Sequence, residues 1–143
     1  MSLVLDSNIL VKLVTNEAGS GEARESVMES LRDGCSLYTV DAALAEGLNA
    51  LWKHVKMHGD LAAEEAGLAA QDLSKIWERL NVLSTRELSE EALDIAITQN
   101  VTVYDSLYVA AARKMRAKFF TADKKLFEAS RKIVESELLA SMS

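Results

Sequence analysis

Apolar positions along this chain alternate between short continuous runs and helical spacing. Leu3-Val4-Leu5 is an unbroken apolar run, which predicts a buried strand over residues 3–6. Ser7-Asn8 follows as a turn or cap, and Ile9, Leu10, Leu13 and Val14 then recur at helical spacing. Gly19-Ser20-Gly21 reads as a loop, and a helix carrying Val27, Met28 and Leu31 ends near Asp33-Gly34. Leu37 to Val40 forms a second strand. Asp41 stands where a cap is needed, ahead of Leu44, Leu48, Leu51, Trp52 and Val55 at i, i+4, i+7, i+8 and i+11. Gly59-Asp60 breaks that helix, with Asp60 as the cap of an alanine-rich helix from Leu61 to about Leu73.

The second half repeats the alternation. Asn81 to Ser84 is a weak third strand. Ser89-Glu90-Glu91 marks a helix start, with carboxylates where the helix dipole favours them. Its apolar stripe is Ala92, Leu93, Ala96 and Ile97, and Asn100 suits a left-handed C-cap. Residues 105–116 form a further helix that buries Leu107, Tyr108, Ala111 and Met115. Phe119-Phe120-Thr121 is a fourth strand, and Asp123 caps a short helix through Leu126 and Phe127. The pattern assigns no element over 132–143, and the chain has no proline, so its breaks rest on glycine, asparagine and caps. Strands alternating with helices predict an α/β fold: a parallel sheet covered on both faces, in one domain over 1–143.

Composition narrows the class. At 143 residues, 49% hydrophobic and 27% charged, the chain can build a core without staples. A single cysteine, Cys35, excludes an intramolecular disulfide and fits a reducing cytoplasm; it reads as an apolar filler. No apolar run approaches the roughly 20 residues of a membrane span, and no stretch resembles a secretory leader. Trp52 and Trp77 sit at apolar helical positions and read as core or interface residues. His54 and His58 are four apart, a zinc-like spacing, but no partner thiol or His-Glu-x-x-His motif accompanies them.

The net charge of −6 argues against contact with nucleic acid, because phosphates call for Lys and Arg. Its distribution changes that. Residues 113–132 hold Arg113, Lys114, Arg116, Lys118, Lys124, Lys125, Arg131 and Lys132 against Asp123 and Glu128, a net +6 beside −12 elsewhere. The stretch is either dipole compensation on solvated helix ends or a rim that steers phosphates.

Four acidic residues sit in settings unlike ordinary surface charge. Asp6 ends the first apolar run, Asp123 follows the fourth strand, Asp105 opens an apolar helix, and Glu46 lies just past the second strand. Ligand sites in open parallel sheets form beyond the carboxyl ends of the strands. Carboxylates gathered there would repel one another and raise their pKa values unless a cation is present. Mg²⁺ takes such oxygen ligands, and it supports phosphodiester hydrolysis. Each residue also has a plain reading: Asp6, Asp105 and Asp123 as helix caps, and Glu46 as surface. Glu46 lies about 200° around its helix from Leu44, on a face shared with Asn49 and Lys53.

Together these strings resemble a known family. Leu5-Asp6-Ser7-Asn8-Ile9-Leu10, Glu46 on the second large helix, Tyr104-Asp105-Ser106-Leu107-Tyr108-Val109-Ala110-Ala111 and Phe120-Thr121-Ala122-Asp123-Lys124-Lys125-Leu126 are similar to a PIN domain. Their order, spacing and compact length most resemble the ribonuclease toxins of VapBC toxin–antitoxin pairs. The resemblance implies a three-layer α/β/α sandwich around a central, mostly parallel sheet of four to five strands. It implies Mg²⁺- or Mn²⁺-dependent endonuclease action on RNA, a homodimer, a cognate antitoxin and a cytoplasmic setting. It makes Asp6, Glu46, Asp105 and Asp123 the catalytic and metal-binding set, with Asn8 and Thr121 as polar supports. Arg113, Lys124 and Lys125 are then candidates for steering RNA. Arg113, eight residues beyond Asp105, lies roughly 12 Å along the helix and could touch only flanking phosphates. The rivals are a catalytically silent PIN-like module that binds RNA or protein, and a receiver-like phosphoacceptor. A receiver needs two adjacent acidic residues after its first strand, where this chain has Asp6-Ser7-Asn8.

Overall fold

The structure, a computed structural model, describes residues 1–139. The chain forms β1 (Ser2–Leu5), α1 (Ser7–Val14), α2 (Ser20–Arg32), β2 (Ser36–Val40) and α3 (Ala42–Lys53). A π-helical turn (His54–His58) leads to α4 (Ala63–Trp77), β3 (Asn81–Leu83), α5 (Thr85–Gln99) and α6 (Val103–Met115). The chain continues through β4 (Lys118–Thr121), α7 (Lys124–Ser130) and β5 (Ser136–Leu138). Among the described residues no helix is long and apolar enough to cross a membrane.

All five strands run parallel, in the order β3-β2-β1-β4-β5. Central strands of such a sheet are buried on both faces, so they read as continuous apolar runs. Val4 and Leu5 in β1 and Phe119 and Phe120 in β4 are accordingly buried. The centre of the sheet is aligned with Val4 opposite Tyr38 on one side and Phe119 on the other. α1 packs against α2, α3 and α4, while α6 lies over β1, β2 and β4 with α5 against it. From β1 the chain winds outward through β2 to β3, then crosses back to β4 and β5. The winding direction reverses between β1 and β4, and the crevice beyond that pair is where doubly wound sheets bind ligands.

Several predicted boundaries move, each for a local reason. Gly19, at φ 87°, is the N-cap of α2, so Ser20 and Gly21 lie inside that helix and not in a loop. Asp41 makes no cap bond to α3; its carboxylate instead accepts from the backbone N of Thr85 at 3.0 Å and from the Thr85 hydroxyl at 2.5 Å. Asp60 does not cap α4 but bonds His54 at 2.9 Å. α5 begins four residues before Ser89, at a capping box: Glu87 N donates to Ser84 Oγ (3.1 Å) and Ser84 N to Glu87 Oε2 (3.4 Å). Asn100 takes the expected left-handed conformation, at φ 54°. β5 lies in the stretch to which the apolar pattern assigned nothing.

The apolar stripe expected on α3 is only partly its buried face: Leu51 is buried and Leu44 packs on the core. Leu48 and Trp52 are 43% and 52% exposed, whereas Ala43, Gly47 and Leu51 are buried. A Cβ on Gly47 would stand 3.1 Å from Leu73 of α4, so α3 packs on that helix through small residues. On α5, Leu93 and Ile97 are likewise exposed, and Leu88, Ala92, Ile95 and Ala96 are buried. Trp77 packs on the core.

Candidate active site

Asp6 is delivered by the C-terminal end of β1 in extended conformation, and α1 begins at the next residue. It is 2% exposed, since it lies between core strands. Its Oδ1 accepts from the backbone N of Ile9 at 2.9 Å, which makes it the N-cap of α1. Its Oδ2 accepts from the Thr121 hydroxyl at 2.5 Å. Thr121 ends β4, is fully buried, and with the same oxygen accepts from the backbone N of Asp123 at 3.0 Å. One hydroxyl thus ties together the two chain segments that leave β1 and β4. Asp123 caps α7 by accepting from Leu126 N at 3.1 Å.

Asp105 and Glu46 come from helices. The cap of α6 is Thr102, whose hydroxyl accepts from Asp105 N at 3.2 Å; Asp105 is the third helical residue and not the cap itself. Glu46 is half-buried on α3 and accepts at 2.5 Å from the Tyr108 phenol of α6. Tyr108 is 1% exposed and stacks on Phe119, with ring centroids 6.1 Å apart.

The electrostatics show that the four carboxylates share one region. Burial pushes Asp6 up to about 7; hydrogen bonds from Thr121 and Ile9 oppose this, and the charges of Asp105 and Asp123 add to it. Asp105 is raised by burial and by Asp123, against Thr102 and Lys125. Glu46 is raised by burial and by Asp105, against the bond from Tyr108. This donor set fits a hard divalent cation: carboxylate oxygens, three of them on groups that resist ionising together. Among the described residues no three acidic, histidine or cysteine side chains already close on one point.

The other candidates are dispersed. Asn8 is exposed on α1, with no side-chain bond to the carboxylates among the described residues. Lys124 and Lys125 are exposed at the start of α7, and Lys125 bears on Asp105. Arg113 stands near the far end of α6, 3.4 Å from Glu91. Arg116 and Lys118 flank the opposite end of β4, and Lys118 pairs with Glu137. His54 faces two carboxylates, Glu17 at 3.1 Å and Asp60 at 2.9 Å, beside a cleft of about 460 Å³ that contains none of the four acidic residues. Two residues outside the expected site set bond to these acidic residues: Thr102 accepts from Asp105 N, and Tyr108 donates to Glu46. The signal for Tyr108 was a hydroxyl-bearing ring on a buried helix face, three residues from Asp105, since a buried phenol needs an acceptor.

The family profile of the PIN domain matches residues 3–132. The chain belongs to the PIN domain family. This PIN domain is 35% identical over 128 residues to Ribonuclease VapC3 of Pyrobaculum aerophilum, covering 90% of this chain and 94% of that one. Its fold is similar to that of PAE2754 from Pyrobaculum aerophilum, with a TM-score of 0.68 at 21% identity, covering 94% of this chain and 92% of the other. It is also similar to a chain of a toxin–antitoxin complex from Klebsiella pneumoniae, with a TM-score of 0.68 at 15% identity over 98% of this chain and 99% of that one. Family membership sets aside the receiver-like alternative.

Proposed function

We propose that this PIN domain is a divalent-metal-dependent endoribonuclease and the toxin of a toxin–antitoxin pair. The observation that carries the reading is the joining of Asp6 and Asp123 through the Thr121 hydroxyl, with the charge of Asp105 close enough to raise both Asp6 and Glu46. A relative that aligns along nearly its whole length is named a ribonuclease, and a structural neighbour comes from a toxin–antitoxin complex.

In this reading Asp6 and Asp105 would hold Mg²⁺ or Mn²⁺, and Glu46 and Asp123 would complete the site. The bound ion supplies charge neutralisation at phosphate and a nucleophilic water. The protein's own contribution is positional. Thr121 and Ile9 hold both oxygens of Asp6 in place, so little reorganisation is needed on binding. The N-termini of α1 and α6 open at Ser7 and Val103, beside Asp6 and Asp105, where helix dipoles favour phosphate. Lys124 and Lys125 approach flanking phosphates as point charges. Exposed Leu48 and Trp52 on α3, with Leu93 and Ile97 on α5, provide apolar surface for a homodimer.

The test is cleavage of single-stranded and structured RNA with Mg²⁺ or Mn²⁺, with and without chelator, beside Asp6→Asn and Asp105→Asn. Metal-dependent cleavage lost in both variants is expected. Cleavage that survives in the variants would sink the site assignment.

A further inference from the structure

We infer that Tyr108 is a positioning residue of the acidic site, its phenol holding the Glu46 carboxylate on the side where Asp105 stands. This deepens the metal-dependent reading above and rests on it. Glu46 and Tyr108 are 62 positions apart in sequence and meet through one hydrogen bond of 2.5 Å, phenol to Oε1. Asp105 and Tyr108 are three residues apart on α6, so they share a face about one turn apart. The helix therefore presents a carboxylate and a phenol side by side, and Glu46 of α3 docks on the phenol. Among the described residues the Tyr108 phenol is the one side-chain hydrogen-bond partner of the Glu46 carboxylate. The ring itself cannot drift: it is 1% exposed and stacked on Phe119 at the centre of the sheet.

A plain alternative is that Glu46 merely satisfies a buried phenol. The two differ in metal affinity. Groups that orient metal ligands typically matter 10- to 100-fold in affinity. The experiment is Mn²⁺ titration of the purified chain, read by electron paramagnetic resonance of the free ion. It compares wild type, Tyr108→Phe, Glu46→Gln and the double variant, with thermal melts alongside. Tyr108→Phe is expected to weaken Mn²⁺ binding about 10-fold, and to add nothing in the Glu46→Gln background. Glu46→Asp keeps the charge but loses the reach to the phenol, and is expected to match Tyr108→Phe. An unchanged Kd in Tyr108→Phe, an equal loss in both backgrounds, or wild-type affinity in Glu46→Asp would overturn the inference alone. No Mn²⁺ binding by wild type would overturn the metal-dependent reading and this inference with it.

Discussion

A carboxylate as deeply buried as Asp6 is costly to ionise, and the fold offers it hydrogen bonds from Ile9 and Thr121 but two further negative charges from Asp105 and Asp123. Its pKa rises from 3.8 to about 7 in the folded chain. Between those values the folded state keeps a proton that the unfolded state has lost, so stability falls as pH rises from about 4 to about 7. The raised groups Asp105 and Glu46 act in the same direction, while the lowered groups Asp41, Asp60 and Glu87 are exposed and screened. Urea denaturation in chelator should show the metal-free protein weaker at pH 8 than at pH 5, by on the order of a few kcal/mol. Asp6→Asn should flatten that profile while abolishing cleavage; a profile that rises with pH would contradict the account. Adding Mg²⁺ at pH 8 should restore stability by binding the folded state alone. Asp6 was legible in the sequence because it follows a core strand directly. Its Thr121 bond spans 115 positions and had no local signature.

Helix starts decide where Asp105 and Glu46 point. The caps Ser84 and Thr102 do equivalent jobs on α5 and α6, each accepting from the third helical residue. Ser84→Ala and Thr102→Ala should each cost about 1 kcal/mol of stability, measured by denaturant unfolding. Only Thr102→Ala should also lower cleavage, because its hydroxyl holds the turn that carries Asp105; equal activity in both variants would refute this. On α3, Gly47 faces Leu73, and neighbouring Glu46, about 100° around the helix, is directed to the site. Gly47→Ala should therefore disturb α3–α4 packing and cleavage together. The sequence misread part of this helix because Leu44, Leu48, Leu51, Trp52 and Val55 form a regular apolar stripe, of which Leu48 and Trp52 are exposed. Periodicity shows that a face is apolar, not what covers it, and the close approach of α3 to α4 buries the small residues Ala43 and Gly47 beside Leu51.

Across the whole molecule, chain direction sorts the basic residues. β4 and α7 run antiparallel to each other in space, so Lys124 and Lys125 fall at the carboxylate end of the sheet and Arg116, Lys118 and Arg131 at the other. Lys124→Glu with Lys125→Glu should weaken RNA binding and lower its salt slope by roughly 1.4 on single-stranded RNA, about 0.7 for each lost phosphate contact. Arg113→Glu should change neither, as read by fluorescence anisotropy over a salt series. The sequence by itself determined the α/β class, four of the five strands and most helices, and it singled out the four acidic positions as candidates. Those follow from local periodicity, capping chemistry and apolar runs, which act over a few residues. Only the tertiary structure decided the strand order β3-β2-β1-β4-β5, the Asp6–Thr121–Asp123 link, the Tyr108–Glu46 bond and the splitting of the basic stretch. Each of these depends on which segments the parallel crossovers bring side by side, and no local pattern encodes that.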